Sequence, residues 1–453
     1  MFTKLTLTNF KTWRNCPDIH LAPVTMILGA NSSGKSTLLQ SLLLLKQTAA
    51  SPDRTIHLNL GADDANDYFN FGNFDDVLTR NASPREFGIA LAIKYRDFNK
   101  LAQGPFKIGH DQFVDLELAY RKTSVGAPIV QTFAMRGKER TFRLERGEKG
   151  AYRLFVDDGQ SIGQSRNFAP ERSIALSAEA LQRLGPDAAV AQDLSLVLRR
   201  EFESIAYLGP LRKKPERDYT WNRSRPGLIG ADGSGVMNAL LASLYAKGEA
   251  TQDMQSVLSG GTKEDSNDLL KEVSTWLNRM GVAEKIELKQ LGYSSRYELI
   301  VHKDGIAANL RDVGIGVSQV LPVLTLAYFA KRGSTVLLEE PEIHLHPLAQ
   351  SVLAELFVKV AKERGIQFIV ETHSEHIFRR MQTLIATGKA KVADCQMYFV
   401  KRAKADARLT TLDLDEFGSV KNWPDKFFGD SLGEAREQAL ARLARMRKLA
   451  NEG

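Results

Sequence analysis

The chain has 453 residues, of which 43% are hydrophobic and 25% are charged, the balance of an ordinary soluble protein of about two to three domains. Its net charge of +7 comes from 61 basic and 54 acidic residues, so the charge permits contact with nucleic acid without requiring it. The only two cysteines, Cys16 and Cys395, exclude a disulfide framework and a zinc knuckle. No apolar run approaches the ~20 residues that span a membrane, and the N-terminus lacks the apolar stretch of a signal peptide. We therefore expect a cytoplasmic protein without membrane contact.

The first motif follows a short apolar strand that begins at Met26. Its sequence, "MILGANSSGKSTLLQSLLLL", fits G-x-x-x-x-G-K-[ST] in the strand-loop-helix context that this motif requires. The glycines let backbone N–H groups point at a phosphate, and the helix N-terminus adds the positive end of its dipole. We therefore predict that Lys35 pairs with the β- and γ-phosphates of ATP and that the Ser36 hydroxyl binds Mg²⁺. The predicted nucleotide-binding residues of this P-loop are Gly29, Ala30, Asn31, Ser32, Ser33, Gly34, Lys35, Ser36 and Thr37.

The segment upstream of the P-loop, "LTLTNFKTWRNCPDIHL", alternates apolar and polar residues like an edge strand and then turns. Lys11 and Trp13 follow this strand, where a cation and an aromatic ring could hold the adenine or the ribose. We expect both residues to contact the nucleotide. Packing of Trp13 in the core is an equal alternative.

A second motif, "VLLEE", places two carboxylates directly after an apolar strand. A P-loop site needs one carboxylate for Mg²⁺ and a base that orients the attacking water. We assign Glu339 to the metal and Glu340 to the base, since the second carboxylate can turn towards the γ-phosphate where the strand ends. The alternative is a solvated strand end. The first position usually holds Asp, and Glu339 has an arm one methylene longer.

Two further motifs flank these carboxylates. "NLRDVGIGVSQVLPVLTLAYFA" is a Gly-x-Gly turn that opens a helix, and "RGIQFIVETHSEH" is an apolar strand that ends at His373. The order of P-loop, Gly/Ser-rich helix start, double carboxylate and terminal histidine resembles ABC-type ATPases of the SMC and RecF class, and within it the OLD-like ATPases of bacterial antiphage defence. In that family the helix start serves as the signature motif, here Gly314, Gly316, Ser318 and Gln319.

The resemblance implies an α/β fold, an ABC-type P-loop ATPase head with a mixed central sheet, a β-rich lobe and a helical insertion. No heptad pattern persists, so no long coiled coil is expected. The predicted parts are residues 1–55, the first part of the head; 56–204, the lobe and insertion; 205–400, the rest of the head; and 401–453, a small C-terminal domain. The tail "DEFGSVKNWPDKFFGDS" resembles a C-terminal domain of uncharacterised function that closes one branch of these ATPases.

By the same resemblance, the signature helix start closes on the γ-phosphate bound to a second subunit, because helix N-termini attract anions. ATP would then join two copies of the chain into a dimer or a higher homo-oligomer. His373 is implied as a switch histidine that contacts the γ-phosphate or the attacking water. A satisfied strand-end histidine is the alternative for His373, and a plain turn is the alternative for the signature.

His344 and His346 lie two residues apart and could join Glu342 in a metal cluster. The resemblance instead places both histidines in the D-loop, within the matched stretch from Glu339 to Pro347, and the D-loop would cross the interface between subunits. No second ligand cluster with zinc spacing occurs in the sequence. We therefore favour the D-loop interpretation.

Short alternating stretches between residues 85 and 160 predict antiparallel strands, and "AAVAQDLSLVLRREFESIAYLG" predicts a helix followed by a strand. The turn "GPLRKKPER" concentrates Arg212, Lys213, Lys214 and Arg217. We interpret it as a solvated loop, with contact to DNA or nucleotide as the alternative. "SLGEAREQALARLARMRKL" predicts an amphipathic C-terminal helix for docking, or a solvated end.

These features predict an ATP- and Mg²⁺-dependent ATPase whose oligomerisation senses or signals in an antiphage defence complex. Too few residues follow position 380 for a TOPRIM nuclease domain of ordinary size. The expected partners are therefore the chain itself and a separately encoded effector, such as a TOPRIM or HNH nuclease, with DNA as a further candidate. The alternative is a RecF-like ATPase that binds DNA in repair or recombination, and a weaker third hypothesis is a nuclease acting alone.

Overall fold

The computed structural model describes residues 1–61, 67–96, 111–248 and 269–424, together with residue 442. The strands are β1 (Phe2–Phe10), β2 (Trp13–Asn15), β3 (Ile19–His20), β4 (Val24–Gly29), β5 (Phe87–Arg96), β6 (Asp111–Lys122), β7 (Pro128–Arg136), β8 (Thr141–Arg146), β9 (Tyr152–Val156), β10 (Gly163–Ser165), β11 (Ala206–Leu208), β12 (Tyr219–Thr220), β13 (Lys285–Gln290), β14 (Arg296–Lys303), β15 (Ile306–Asn309), β16 (Thr335–Glu339), β17 (Gln367–Glu371), β18 (Cys395–Ala403) and β19 (Asp406–Thr411). The α-helices are α1 (Lys35–Ala50), α2 (Phe74–Val77), α3 (Ala178–Leu184), α4 (Ala188–Glu203), α5 (Val236–Gly248), α6 (Leu269–Arg279), α7 (Ile315–Phe329), α8 (Pro347–Arg364) and α9 (Glu375–Ala386).

The central sheet has six strands in the order β11-β16-β17-β4-β18-β19. Neighbouring strands from β11 to β18 pair in parallel, and β19 returns antiparallel to β18. The sheet is therefore mixed, as the resemblance implies. Because the carboxyl ends of parallel strands lie at one edge, Gly29, Glu339 and Glu371 meet there at the ends of β4, β16 and β17.

Both faces of the central sheet are covered, which explains why its strands are almost continuously apolar. On one face, Ile27 and Leu337 pack in a core shared with α1, α4 and the antiparallel lobe. On the other face, Met26 and Leu338 pack in a core shared with α5 to α9. The sheet thus divides the described residues into two large hydrophobic cores and leaves its carboxyl edge for polar side chains.

The β-rich lobe is an antiparallel sheet of nine strands. Its main path runs β10-β9-β8-β7-β6-β5-β1-β2, and β3 pairs with β1. The alternating stretches between residues 85 and 160 form β5 to β9 of this sheet. The expected edge position of β1 was wrong, because β5 pairs with one side of β1 while β2 and β3 pair with the other.

The helical insertion after the lobe consists of α3 and α4, and α4 leads directly into β11 as the sequence predicts. Val197 and Phe202 of α4 pack in the core of the lobe. A smaller sheet of β12, β13, β14 and β15 lies between α4 and α7 in the chain. The longest helix in the described ranges, α8, has 18 residues, so these residues contain no long coiled coil. Among the described helices, none is long and apolar enough to cross a membrane.

The predicted boundary between residues 400 and 401 falls inside β18. Because β18 pairs with β4 up to Val400 and Gly29, the chain on both sides of this boundary belongs to the central sheet. The other predicted boundaries stay predictions. The predicted amphipathic helix at residues 431–449 lies outside the described residues, apart from Arg442.

Candidate functional site

The P-loop connects β4 to α1 and curls around its own lysine. Gly29, Ser32 and Gly34 all have positive φ values, of 146°, 57° and 108°. A Cβ on Gly34 would lie 2.7 Å from Thr12 Oγ1, so this position requires glycine for space as well as conformation. Lys35 Nζ donates to the Ala30 carbonyl at 2.8 Å. Burial lowers the pKa of Lys35, which places a desolvated ammonium group where an anion would neutralise it.

A carboxylate that the sequence analysis did not assign contacts the P-loop serine. The Ser36 hydroxyl donates to Glu371 Oε1 at 2.9 Å, and Lys35 Nζ lies 3.6 Å from the same oxygen. Glu371 Oε2 is buried and has no hydrogen-bond partner. Burial raises the pKa of Glu371, opposed by its contacts with Ser36 and Lys35. Its position at the end of "QFIVE", like that of Glu339 at the end of "TVLLE", was the available signal.

Glu339, the predicted metal ligand, is directly opposite Glu371 on the neighbouring strand. It is buried, and its Oε1 accepts a hydrogen bond from the Tyr207 hydroxyl at 3.0 Å. Burial and the nearby charge of Glu371 raise the pKa of Glu339 to about 7. Two buried carboxylates beside a serine hydroxyl suit a hard cation such as Mg²⁺, which binds protein through one or two carboxylates plus substrate phosphates. The arrangement therefore fits Mg²⁺. Glu371 is hydrogen-bonded to Ser36, whereas Glu339 is hydrogen-bonded to Tyr207.

The two predicted catalytic residues lie together at this edge. His373 Nε2 is 3.7 Å from Glu340 Oε1, and about a third of each side chain is exposed. Glu340 has a φ of 45° and donates its N–H to the Glu371 carbonyl at 2.9 Å. A left-handed backbone conformation is uncommon for a non-glycine residue. Burial, followed by the charge of Lys35, lowers the pKa of His373, which favours a neutral ring.

A buried glutamate of the D-loop holds the backbone of His373. Glu342 Oε1 accepts from the Thr372 hydroxyl and from the His373 N–H, each at 2.7 Å. The sequence suggests Glu342 only as a possible metal ligand beside His344 and His346. Its contacts instead tie the D-loop to the end of β17.

Arg212 is another functional neighbour that the sequence analysis misplaced. The predicted solvated position was wrong for Arg212, because this residue is 8% exposed. Contact of the turn with DNA or nucleotide stays a prediction. Its Nη2 donates to the carbonyls of Glu339 at 3.2 Å and Glu340 at 3.0 Å. Burial lowers the pKa of Arg212 to about 10, opposed by Glu342 and Glu340. Arg212 therefore stabilises the end of β16, while Lys213 pairs with Glu216 at the surface.

The predicted signature residues form the start of α7, close to the D-loop of the same chain. Gly314 is the exposed N-cap of the helix. A Cβ on Gly316 would lie 3.3 Å from the carbonyl oxygen of His344. Ser318 and Gln319 are each 7% exposed, and the Ser318 hydroxyl donates to the Ile315 carbonyl at 2.8 Å. The hydroxyl is thus engaged within its own helix, and the exposed part of the signature is the helix start.

Lys11 and Trp13 have different positions at the P-loop. Trp13 is fully buried, and its indole N–H donates to the Gly34 carbonyl at 3.1 Å. Stacking of Trp13 on adenine was therefore wrong, and the alternative of core packing holds. Lys11 donates to Gln40 Oε1 at 2.9 Å and lies over the ring of Phe71. Lys11 is half-buried beside α1, and its partner Gln40 lies in the second turn of that helix.

His344 and His346 are exposed in the D-loop. Within residues 1–61, 67–96, 111–248 and 269–424, no group of three or more His, Cys, Asp or Glu side chains is arranged to hold a metal ion. The interpretation of these histidines as transition-metal ligands therefore has no support from the described residues. The two-carboxylate arrangement for Mg²⁺ does not require such a group.

Comparison with known families assigns the chain to a class. A family described as "AAA domain, putative AbiEii toxin, Type IV TA system" matches residues 24–379. This match covers well over half of the chain, so the protein belongs to this family of AAA-type ATPase domains. A second family, "Protein of unknown function (DUF3696)", matches residues 391–438. The predicted C-terminal domain of uncharacterised function is thus present, while membership of the OLD-like branch stays a prediction.

Solved structures with a similar course of the chain include heads of SMC proteins. An SMC head bound to the C-terminal winged-helix domain of ScpA is 15% identical, with coverage of 92% of this chain and 98% of that chain and a TM-score of 0.46. The SMC head domain from Thermotoga maritima is 12% identical, with coverage of 91% and 99% and a TM-score of 0.40. An SMC head with an extended coiled coil, bound to the C-terminal domain of ScpA derived from Pyrococcus furiosus, is 14% identical, with coverage of 98% and 99% and a TM-score of 0.42. No curated protein matches the sequence.

Proposed function

We propose that this chain binds Mg²⁺ and ATP at the P-loop and hydrolyses the ATP with Glu340 and His373. The observation that carries the proposal is the 3.7 Å distance between His373 Nε2 and Glu340 Oε1 at the edge where the P-loop begins. A carboxylate beside a histidine at this edge can orient a water molecule for attack on a terminal phosphate. The family match supports ATP chemistry as a property of this class of domain.

The remaining side chains have roles that follow from their contacts. The P-loop N–H groups and Lys35 bind the phosphates, while Ser36, Glu371 and Glu339 hold Mg²⁺ through oxygen atoms. When bound, Mg²⁺ would neutralise part of the negative charge of the phosphates. Because burial and Lys35 lower the pKa of His373, its neutral ring can donate an N–H to a phosphate oxygen or to the water. Glu342 fixes the backbone of His373 and thereby its distance from Glu340.

Self-association of the ATP-bound chain is the second part of the proposal. The exposed start of α7 lies against the D-loop, whose histidines are also exposed, so the two elements are neighbours at the surface. Ile315 and Leu348 are 54% and 59% exposed next to these elements. Large exposed apolar side chains beside a phosphate-binding helix start suit an interface that forms around a nucleotide. ATP would thus join two copies, each completing the site of the other.

The biological role that we propose is control of a separately encoded effector, such as a TOPRIM or HNH nuclease, in antiphage defence. The family description names a toxin of a type IV system, which supports a role in defence. The RecF-like alternative loses one proposed contact, because Arg212 is buried and bound to carbonyl groups.

The proposal is tested by measuring molecular mass in solution with and without Mg²⁺ and ATP. For Glu340→Gln we expect the mass to double or to increase further with ATP, because the variant binds ATP without hydrolysing it. Lys35→Ala is the control that cannot bind the phosphates, and its mass should not respond. If Glu340→Gln shows the same mass with and without saturating ATP, ATP-dependent self-association is refuted.

A further inference from the structure

The two neighbours of the P-loop strand differ in chemistry. β4 lies between β17 and β18 in the central sheet. On one side, β17 ends with Glu371, which contacts Ser36. Beyond β17, β16 ends with Glu339 and is followed by Glu340. ATP has its γ-phosphate at one end and its nucleoside at the other. If the γ-phosphate faces Glu340 and His373, the nucleoside must leave the P-loop on the opposite side, towards β18.

The hairpin of β18 and β19 is packed against both ends of the P-loop. A Cβ on Gly29 would lie only 2.2 Å from the Val400 carbonyl oxygen, so backbone contacts backbone there. At the other end of the loop, a Cβ on Gly34 would lie 3.2 Å from the Ala407 methyl group. Ala407 also donates its N–H to the Thr12 carbonyl at 2.8 Å. These contacts fix the hairpin relative to the loop.

The hairpin extends beyond the P-loop and presents charge there. After Val400 pairs with Gly29, the hairpin continues to the pair Ala403 and Asp406. Arg402 lies in this extension and is exposed. Its Nη1 is 3.5 Å from the Ser32 carbonyl oxygen at the top of the loop, and its Nε is 3.3 Å from the Lys404 carbonyl oxygen. Both contacts are long, so the guanidinium group can exchange them for a ligand.

Polar atoms without partners lie on the same side of the loop. Thr12 Oγ1 and Asp406 Oδ1 are buried and have no hydrogen-bond partner, although Asp406 Oδ2 accepts from Arg14 Nε at 3.3 Å. Buried polar atoms are nearly always hydrogen-bonded in native proteins. Two such atoms where the hairpin meets the P-loop indicate that a polar ligand completes this region.

We propose that the β18–β19 hairpin forms the nucleoside end of the nucleotide site and that Arg402 contacts the base and ribose of the bound nucleotide. This inference rests on the ATP binding proposed above. The planar guanidinium group stacks on the face of a base and donates to ribose oxygens. Because β18 and β19 lie within the family segment of unknown function, the segment has a role in nucleotide binding.

The test is calorimetric titration of the full chain with ATP, ADP and inorganic tripolyphosphate. For Arg402→Ala we expect about tenfold weaker binding of ATP and ADP, within the range of cation–π and stacking contacts, and unchanged binding of tripolyphosphate. Arg402→Lys should show most of the same loss of ATP and ADP affinity, because lysine keeps the positive charge but lacks the planar guanidinium group that stacks on a base. Lys401→Ala is the matched control, since it removes one charge from the opposite face of the same strand and should bind like the parent.

Two outcomes overturn the inference. One is unchanged ATP affinity in Arg402→Ala, and the other is an equal loss for ATP and tripolyphosphate, which would place Arg402 on the phosphates. If Arg402→Ala unfolds at the same temperature as the parent, any loss of ATP affinity comes from the local contact and not from a change in the fold. If the parent chain itself binds no ATP, the proposed function fails, which is a different result from failure of Arg402 alone.

Discussion

The P-loop strand β4 has an acidic neighbour on one side and a basic neighbour on the other. Towards β17 the carboxylates of Glu371 and Glu339 are buried, and burial raises the pKa of each. Towards β18 the hairpin presents Arg402 in its exposed extension beyond the P-loop. A nucleotide bound between these sides would meet the carboxylates at its phosphate end and the guanidinium group of Arg402 at its nucleoside end. In the account proposed here, the chemistry and the recognition of a nucleotide are divided between the two neighbours of one strand.

The largest expected effect is at the lysine between the two sides. Lys35→Ala should weaken ATP binding by more than about 100-fold, because it removes the buried ammonium group inside the loop. Direct titration with ATP measures this loss. Lys362→Ala, a change of an exposed lysine near the end of α8, should bind ATP like the parent. Parent-like affinity in Lys35→Ala would show that the loop is not the phosphate site.

The histidine on the acidic side should affect turnover rather than binding. We expect His373→Ala to lower kcat by about 100-fold with little change in KM, because His373 acts on the terminal phosphate or the water. Steady-state phosphate release measures both constants. His376→Ala, an exposed histidine three residues further on, is the control and should keep the parent kcat. An increase in KM alone for His373→Ala would place the residue in binding instead.

The two buried carboxylates can be compared by their dependence on Mg²⁺. Glu371→Gln should raise the Mg²⁺ concentration for half-maximal ATPase activity by about tenfold, because Glu371 accepts directly from Ser36. Glu339→Gln should raise it less, since Tyr207 already occupies one of its oxygens. Titration of activity with Mg²⁺ distinguishes the two. A larger effect for Glu339→Gln would restore Glu339 as the main ligand.

The smallest effect concerns stability without nucleotide or metal. In the folded chain the pKa of Glu339 is raised from 4.5 to about 7. The folded state therefore holds a proton that the unfolded state releases, and the associated stability, full below pH 4.5, is lost as the pH rises through about 7. Glu339→Gln removes this loss and should be more stable than the parent by roughly 1–3 kcal/mol at pH 8, with a smaller difference at pH 5.

Urea unfolding at both pH values measures this difference in the free energy of unfolding. Glu363→Gln, which changes an exposed carboxylate near the end of α8, should show no such dependence on pH. If Glu339→Gln and the parent have parallel stability profiles between pH 5 and 8, the carboxylate is not strained by burial in the folded chain.

The parts of the fold that follow from local pattern were predictable from the sequence. The P-loop has a spacing that only a strand, a tight turn and a helix satisfy, and the apolar run ahead of Glu339 predicts a buried strand. The mixed sheet and the β-rich lobe followed from a resemblance and from alternation. The place of β1 inside the lobe did not, because its partner β5 lies far along the chain.

The site residues that belong to sequence motifs were predictable. The residues that reach the site only through contacts in the folded chain were not. Glu340 and His373 each follow an apolar strand, and parallel pairing brings those strand ends together. Glu371 was missed because it is the last residue of its apolar strand, and the polar residues after the strand indicate His373 as the functional residue. Arg212 was misplaced because charge in a turn with two prolines predicts solvent exposure, whereas the carbonyl groups of Glu339 and Glu340 bind it from elsewhere in the chain.

The central claim is that the carboxyl edge of the central sheet is an ATP-hydrolysing site, and single-turnover hydrolysis tests it most directly. The parent protein and Glu340→Gln are each mixed, in separate reactions, with Mg²⁺ and a smaller amount of ATP. Phosphate release is followed once both proteins have been shown to bind the ATP equally well. We expect the parent to hydrolyse the bound ATP and Glu340→Gln to retain it, with a rate lower by about 100-fold or more. Equal rates in the two proteins, or bound ATP that the parent never hydrolyses, would contradict the account.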